Sequence, residues 1–392
     1  HALFRGAVHL LVTNDNEMHK KARSVNIQER VYRLDQFLVF LKNQCEYDSP
    51  PPSGIQDRYL YEFDVSQPFF DSLRKGYKEF DNWYNKASIE QRKAWCVCNG
   101  DTVEAICIYK KEECSEISTD NKLDGLALKL CTFKVGERVR GRKLGERLLY
   151  TAFHYAMEKN CKYIYLHTFG EEHELLISLC QEYGFENIGK RKNGEDVLLK
   201  IMFVPEQKIT IHPLDYAIKY YPNYIDSELV SKYIVPIQKE YHNILFADTS
   251  NTSQGLFSND PLAYTASSNT IKKAYLCHSS IKKIQPGDLL LFYRTQDRKS
   301  IECIGIVELS IRSQDINFIE PLISKRTVFK HKEIERILDK KETLVILFRL
   351  LSYHQPIKYK EFEKAGIIGP IQSIRNISHE QYLQLIKDNT NE

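Results

Sequence analysis

The stretch "VGERVRGRKLGERLL", residues 135–149, has the pattern of a strand end, a basic turn and the start of a helix. The first backbone N–H groups of a helix have no partner inside it and point towards whatever lies before the helix. Gly141 and Gly145 let the backbone approach a ligand closely. Five basic side chains surround the turn: Arg138, Arg140, Arg142, Lys143 and Arg147. The stretch therefore predicts an anion site that suits a diphosphate.

The residues around this stretch predict alternating strands and helices. "AWCVCNGDTVEAICIYKK" is typical of a hairpin that turns at Asn99–Asp101, and "GLALKLCTFKV" of a further strand. After the turn, apolar residues recur at helical spacing: Leu144, Leu148, Ala152 and Tyr155. "KYIYLHTF" predicts a strand, and a hairpin should turn at 192–194. The intervening "EEHELLISLCQEY" predicts a helix with four inward residues: Leu175, Leu176, Leu179 and Tyr183. Glu171 and Glu172 fall in its first turn, where the helix dipole favours carboxylates.

Residues 59–207 resemble the GNAT superfamily of acyl-CoA-dependent N-acyltransferases, which have a mixed α/β sheet. The family cradle, Arg/Gln-x-x-Gly-x-Gly/Ala at a strand-to-helix junction, is here Arg140-Gly141-Arg142-Lys143-Leu144-Gly145. The "YGF" of residues 183–185 follows at the family's usual distance. Lys143 departs from the pattern by replacing a glycine. Because the site uses a backbone N–H there, we expect Lys143 to donate still, provided that its φ is negative.

The resemblance implies acetyl-CoA as the cofactor and first partner. Backbone groups of Phe133 and Val135 would bind the acetyl group and the pantetheine arm. The N–H groups of six residues would hold the pyrophosphate: Arg140, Gly141, Arg142, Lys143, Leu144 and Gly145. A basic, solvated turn without a ligand is the alternative.

Catalytic residues are less clearly marked. Many GNAT members place a tyrosine four residues before the glycine of the "GF" pair, where its hydroxyl protonates the leaving thiolate; that position here is Cys180. Tyr183 is nearby in sequence but on another helical face. His167 and His173 are the candidate bases by residue type. An ordinary structural role remains open for both histidines.

Residues 1–45 resemble the C-terminal third of a PIN nuclease domain. The segment predicts a strand, a helix, a short strand and a second helix. "VHLLVTND" is the first strand and "EMHKKARSV" the short helix, and "RVYRLDQFLVFLKN" places four residues on one helical face: Leu34, Phe37, Leu38 and Leu41. In the family, Asp15 would be one of several carboxylates that hold Mg²⁺ or Mn²⁺; alternatively it caps the following helix. The chain begins at His1 inside an apolar pattern, so we expect a truncated front without nuclease activity. Its exposed sheet edge predicts an oligomer or a partner protein.

Residues 208–392 predict a mostly β domain. "KKIQPGDLLLFYRT" and "GIVEL" are similar to the PUA-like superfamily, including its EVE and ASCH groups, which implies a small β-barrel. Members often bind RNA or a modified nucleobase. Tyr293 would stack on the base and Arg294 would pair with it. Alternatively, Tyr293 belongs to the core and Arg294 is a solvated strand residue.

The totals limit the class of protein. A chain of 392 residues predicts two or three domains, and its net charge of +3 does not itself indicate nucleic-acid binding. The ten cysteines lack a zinc-site spacing. Without a bilayer-length apolar run or signal peptide, we expect no membrane partner and a cytoplasmic location. Three consecutive prolines mark residues 46–58 as a linker.

Three functional hypotheses follow. The first is an N-acetyltransferase acting on an amine, with an acceptor attached to or selected by RNA, as in a toxin or defence effector. The second is a non-catalytic acyl-CoA sensor or scaffold whose C-terminal domain binds RNA or a modified base. The third is a nuclease whose catalytic half lies outside this chain.

Overall fold

The structure is a computed structural model. It describes residues 1–5, 8, 10–25, 27–34, 37, 54–114, 117, 123–169, 173–204, 210–246 and 270–387. In this part of the chain, no helix is both long and apolar enough to cross a membrane. Glu171 and Glu172, two calls from the sequence, lie outside the described residues, as do Leu38 and Leu41.

The N-terminal segment contains β1 (Leu11–Val12), α1 (Asn16–Ser24) and β2 (Val31–Tyr32). β1 and β2 pair in parallel. The sequence predicted a short strand between the two helices of this segment; β2 is that strand, and it includes Val31 and Tyr32 at the start of the stretch assigned to the second helix. The side chains tie this segment to the rest of the chain, since Tyr32 Oη donates to the carbonyl of Pro321 at 2.8 Å.

The central domain is built on a seven-stranded sheet. Its strands are β3 (Gln56–Tyr59), β4 (Lys93–Asn99), β5 (Thr102–Glu113), β6 (Leu126–Val135), β7 (Tyr163–Thr168), β8 (Glu186–Lys190) and β9 (Asp196–Ile201), in the order β3-β4-β5-β6-β7-β9-β8. Its helices are α2 (Asp71–Gly76), α3 (Phe80–Ile89), α4 (Leu144–Glu158) and α5 (Glu174–Glu182). The elements predicted from residues 94–203 are confirmed. The linker predicted at 46–58 extends too far, because β3 begins at Gln56 and pairs with β4.

The helices cover the two faces of this sheet separately. Phe80 and Tyr84 of α3 pack on Ile106, with the other members of one apolar cluster. Leu148 of α4 belongs to a second cluster, which contains Ile164 of β7. Alternating strand residues therefore bury opposite faces, as a sheet with helices on both sides requires.

The C-terminal domain has a six-stranded sheet. Its strands are β10 (Lys232–Ile237), β11 (Lys272–Cys277), β12 (Leu289–Arg294), β13 (Ser300–Ser313), β14 (Thr343–Lys358) and β15 (Arg375–Ile377), in the order β11-β14-β13-β12-β10-β15. Its helices are α6 (Pro213–Lys219), α7 (Lys239–Leu245), α8 (Ile316–Ile323), α9 (His331–Lys340), α10 (Tyr359–Lys364) and α11 (His379–Lys387). Ser378 Oγ caps α11 by accepting from the backbone N–H of Gln381 at 3.1 Å, as the sequence indicated.

This sheet curls without closing. Among the described residues, the edge strands β11 and β15 do not pair with each other. Tyr275 Oη of β11 donates to the carbonyl of Pro236 in β10 at 2.7 Å, so one side chain bridges the gap. The barrel expected from the sequence is therefore an open, strongly curved sheet here. Local hairpin signals do not encode whether the two ends of a sheet meet.

Helix α4 is enclosed by both domains. Eight consecutive residues of α4, Glu146–Phe153, are buried, and on a helix eight consecutive positions point in every direction. One face packs on the central sheet. Phe153 lies 5.5 Å from the ring of Tyr221, and the same apolar cluster continues to Leu291 of β12. The two domains thus share one hydrophobic core.

Candidate active site

A wedge opens in the middle of the central sheet. Strands β6 and β7 pair in parallel at three positions, the last of which joins Lys129 to Tyr165. Both strands continue beyond this position, β6 to Val135 and β7 to Thr168, but they no longer pair with each other. The backbone edges of two neighbouring strands are therefore available beside the turn that precedes α4.

The ladder between β5 and β6 directs backbone groups into this wedge. Gly136 N–H donates to the carbonyl of Glu104 at 2.8 Å, and Val135 stands opposite Ala105 as the next pair. In an antiparallel ladder, hydrogen-bonded and non-bonded pairs alternate. Val135 and Phe133 are therefore in non-bonded pairs, and their N–H and C=O groups point away from β5, towards the wedge.

A β-bulge lies next to the point where the strands separate. Thr132 stands opposite Ile108 and Leu130 opposite Tyr109, so Cys131 is the extra residue on β6. A bulge interrupts the alternation of side chains and bends the strand. The bend turns the second half of β6 away from β7 and keeps the wedge open.

The turn before α4 has the conformation of an anion cradle. Gly141 has φ of 81° and Lys143 has φ of 60°, both left-handed. The negative φ on which donation by Lys143 was made conditional is therefore not found; the lysine adopts a left-handed backbone that glycine favours. The side chain of Lys143, the N-cap residue, makes no hydrogen bond to the first turn of α4. Left-handed residues in such a turn make successive N–H groups converge, which is the geometry of anion-binding nests.

Gly145 forms the wall where the cradle meets the wedge. A β-carbon built on Gly145 would lie 3.7 Å from Phe133 Cε1 and 3.8 Å from Val135 Cγ2, but only 2.8 Å from Leu179 Cδ2. Hydrogen at this position allows α4, α5 and β6 to meet closely. A larger side chain would project into the space between them.

A buried carboxylate lies under the cradle, in the first turn of α4. Glu146 Oε1 accepts from the backbone N–H of Lys272 at 3.1 Å and lies 3.4 Å from Arg326 Nη1. Burial opposes ionisation of Glu146, but the positive charges of Arg326, Lys143 and Lys272 hold its pKa below the ordinary value. Both Lys272 and Arg326 belong to the C-terminal domain, so that domain contacts the cradle directly.

His167 lies at the end of β7, half-buried on the face opposite α4. Its Nδ1 is 3.2 Å from Arg191 Nη1, and its ring centroid is 5.2 Å from that of Tyr165. Burial, together with the positive charges of Lys129 and Arg191, lowers the pKa of His167 to about 4. Its imidazole is therefore neutral at pH 7.

The other catalytic candidates lie on α5. His173 is the exposed N-cap residue of that helix, whereas Cys180 is fully buried on the face towards β5 and β6. Burial raises the pKa of the Cys180 thiol well above its ordinary range. Cys180 thus lies on the opposite face of the sheet from His167. Leu175, predicted to be inward, is 37% exposed, because the apolar face of α5 is formed by Leu176, Leu179 and Cys180.

Tyr183 points to the domain interface rather than to the wedge. The Arg349 guanidinium of β14 lies 5.0 Å from the centre of the Tyr183 ring, and the same group donates to the carbonyl of Glu182 at 3.1 Å. Burial and the negative charges of Glu146 and Glu182 raise the pKa of Tyr183. Sequence spacing alone placed Tyr183 near the chemistry, but the interface holds it elsewhere.

Tyr293 and Arg294 do not offer a surface for a base. Tyr293 is 5% exposed and packs on Phe362, with ring centroids 5.4 Å apart. Arg294 is buried and forms a bidentate pair with Asp297, at 2.9 Å and 2.7 Å. The core interpretation of Tyr293 fits this burial, whereas the buried ion pair of Arg294 was not expected from the sequence.

Asp15 acts as a helix cap in this structure. Its Oδ1 accepts from the backbone N–H of Glu17 at 2.8 Å and of Met18 at 3.4 Å. Among the described residues, no group of three or more His, Cys, Asp or Glu side chains is arranged to hold a metal ion. The resemblance of residues 1–45 to a PIN nuclease stays a prediction.

A cluster of ion pairs at the domain interface was missed by reasoning from the sequence; its Lys272–Glu182 pair joins the two domains, whereas Glu308 belongs to the C-terminal domain. Lys272 Nζ pairs with Glu182 and, at 2.9 Å, with Glu308; Arg349 Nη2 also pairs with Glu308, at 3.1 Å. The sequence offered one indication that Glu146 has a role, namely that it is an acidic residue in the first turn of a helix. Its partner Arg326 lies 180 positions away in the sequence.

Comparison with known proteins agrees with this geometry. The model of the acetyltransferase (GNAT) family matches residues 58–185, so this part of the chain is a GNAT domain. It contains the wedge, the cradle and α5. A comparison with curated proteins gives no match.

Several solved structures are similar to parts of this chain. The ASCH protein of Zymomonas mobilis is 12% identical, with a TM-score of 0.31, and the alignment covers 40% of this chain and 94% of that chain. NAA60 of Arabidopsis thaliana, solved with acetyl-CoA, is 16% identical with a TM-score of 0.28, covering 38% and 99% of the two chains. PH1933 of Pyrococcus horikoshii is 20% identical with a TM-score of 0.29, covering 38% and 99%.

Proposed function

We propose that the chain transfers an acetyl group from acetyl-CoA to an amine. The observation that carries this proposal is the wedge between β6 and β7, which opens beside the left-handed turn of α4 within the segment that matches the GNAT family. Together they provide backbone donors for a diphosphate and a slot for an extended arm.

The donor molecule would lie along β6. The backbone N–H groups of Gly141 and residues 143–145 bind its diphosphate, helped by the positive end of the α4 dipole. Those of Arg140 and Arg142 instead donate to the carbonyls of Glu137 and Val139, both at 3.3 Å. The groups of Phe133 and Val135 that point into the wedge bond the pantetheine arm and the thioester carbonyl. This orientation carries the thioester along β6 towards the bulge at Cys131, where the two strands separate.

In the transfer itself, the amine nitrogen attacks the thioester carbonyl carbon, a C–N bond forms and the C–S bond breaks. The amine loses a proton and the CoA thiolate gains one. Cys180 is a candidate donor to the thiolate by its position in the sequence, although burial raises its pKa and so makes its thiol a weak acid. His167, neutral at pH 7, and the exposed His173 are candidate acceptors of the amine proton. Tyr183 is not assigned a step.

For the acceptor we propose only a class, an amine that is free or attached to RNA. A toxin or a defence effector is one kind of protein in which such a transfer would serve. A second candidate is an acyl-CoA sensor without transfer activity. The observation that favours it is the complete burial of Cys180. Under this alternative, the C-terminal domain would bind RNA or a modified base through residues other than Tyr293.

Calorimetry with acetyl-CoA tests the donor site. The unaltered chain should bind in the micromolar range, and Gly145→Trp should abolish binding, because an indole would fill the space between β6 and α5. Arg140→Glu, on the half-buried rim, should weaken binding while leaving the core untouched. A thermal melt confirms that each variant is folded. Absence of binding by the unaltered chain would refute the proposal.

Transfer is tested with labelled acetyl-CoA and two acceptor classes, polyamines and RNA. Label on either acceptor supports the transferase. Binding of acetyl-CoA without label transfer to these acceptors supports the sensor. Label that appears on RNA and is lost in the presence of excess polyamine would show that the acceptor site prefers the free amine.

A further inference from the structure

A loop of the C-terminal domain lies against the first turn of α4. Arg326 is anchored there by Glu146, with Nη1 and Oε1 3.4 Å apart and both side chains 4% exposed. The carbonyl of Arg326 accepts from the backbone N–H of Ala274 at 2.8 Å, which ties the loop to β11. The position of the loop relative to the cradle is therefore fixed from two sides.

Lys325 precedes this anchor and is held in an unusual conformation. Its φ is 61°, left-handed, while Ile323 and Arg326 on either side are buried. The lysine side chain itself is exposed. A non-glycine residue in this region is held there by its surroundings, and such residues cluster at functional sites.

Lys325 brings a second positive charge to Arg142 of the cradle. In the described part of the chain, neither residue has a carboxylate partner, whereas Arg140 pairs with Glu137 at 3.6 Å. Lys325 immediately precedes Arg326, which reaches Glu146 in the first turn of α4, and Arg142 lies in the turn just before that helix, so both cations approach the same end of α4. Partial desolvation and the charge of Arg142 also lower the pKa of Lys325. Two like charges from different domains thus stand beside an anion site.

We propose that Lys325 and Arg142 bind the phosphate monoester on the ribose of coenzyme A, so that the C-terminal domain completes the donor site. This inference rests on the proposed function. The diphosphate carries about two negative charges and occupies the N–H groups of the turn. The monoester carries about −1.5 to −2 more and needs cations of its own. Arg142 and Lys325 are two such cations at the cradle, contributed by different domains, and no ion pair to a carboxylate engages them among the described residues.

The experiment compares coenzyme A with dephospho-coenzyme A, which lacks this phosphate, by calorimetry. The unaltered chain should bind coenzyme A roughly ten-fold more tightly, as expected for one charge-assisted contact. Lys325→Ala should reduce this preference to near unity by weakening coenzyme A alone. Lys325→Gly removes the charge in a residue that suits the left-handed backbone and should give the same result. Lys332→Ala, an exposed lysine on α9, is the matched control and should change neither affinity.

The outcomes separate this inference from the proposed function. Equal binding of the two ligands by the unaltered chain would overturn the role of Lys325 but keep the donor site. An equal loss of both affinities in Lys325→Gly would also overturn it, because the charge would then act on the diphosphate. Failure of the unaltered chain to bind either ligand would remove the proposed function as well.

Discussion

Leu179 and Gly145 lie so close that a β-carbon on Gly145 would stand 2.8 Å from Leu179 Cδ2. Gly145→Ala should therefore force Leu179 to move, at a cost of about 1–3 kcal/mol for overpacking. The same change should be better tolerated once Leu179→Ala has made room. Urea denaturation of both single variants and the double variant measures this coupling, which should exceed about 0.5 kcal/mol. Additive effects would show that the two residues do not touch.

Lys143 adopts a left-handed backbone at φ of 60°. A β-branched residue fits poorly there, and left-handed residues other than glycine or asparagine cost about 1–2 kcal/mol. We expect Lys143→Val to lower the free energy of unfolding, and Lys143→Gly to leave it unchanged or raise it. Denaturant melts give the order. Acetyl-CoA affinity should survive in Lys143→Gly, because the backbone N–H remains; loss of binding there would mean that the side chain is required.

Glu146 should make the free energy of unfolding depend on pH in the acid range. Its pKa is held below the ordinary value, so its contribution is present above that value and is lost as the pH falls through the lower pKa of the folded state. Glu146→Gln leaves Arg326 buried without its counter-ion and should cost about 3–5 kcal/mol at pH 7. The difference between variant and unaltered chain should shrink towards pH 3. A difference that is constant with pH would contradict the charged pair.

Lys200 should give a dependence of the same sign, but at alkaline pH. Burial lowers its pKa to about 7, while its Nζ donates to the carbonyls of Ile218 at 3.0 Å and Lys219 at 3.1 Å. Between that pKa and 10.5 the unfolded chain binds a proton that the folded chain does not, so stability should rise with pH by up to about 1.4 kcal/mol per pH unit. Lys200→Met should remove this slope. Urea midpoints from pH 7 to 10 measure it, with the exposed Lys332→Met as control; equal slopes would refute the assignment.

His167 has a pKa of about 4 and is neutral throughout the physiological range. If it accepts the amine proton, the rate of acetyl transfer should show no inflection from an imidazole between pH 6 and 7. His167→Gln should lower kcat by about 10²–10⁴-fold, the range for general base catalysis, with KM for acetyl-CoA unchanged. His173→Gln is the comparison on α5. A variant of His167 with full activity would leave His173 as the base.

The central domain could be predicted well because its signals are local. The turn at Gly100, the strand before the cradle and the helix after it depend on residues within a few positions of each other. The φ of Lys143 could not be predicted in this way. Residue type constrains φ only weakly when the surrounding turn requires a left-handed backbone. The wedge was not visible either, since the end of pairing between β6 and β7 depends on a bulge at Cys131.

Contacts between segments distant in sequence could not be predicted. The pattern of α4 suggested one buried face, whereas the structure buries Glu146–Phe153 without a gap. Tyr183 appeared catalytic by spacing, yet Arg349, more than 160 positions later, draws it to the interface. A single sequence does not reveal which charged residues find buried partners across a domain boundary.

The enclosure of α4 means that the two domains unfold together. A free-standing domain would have one side of this helix in water, but here that side is apolar and covered by the C-terminal sheet. Separation of the domains would expose Phe153 and leave Glu146 without Arg326. Amide protons of α4 would therefore exchange with the solvent only through an opening that breaks both domains, so the central and C-terminal domains behave as one cooperative body despite two separate sheets.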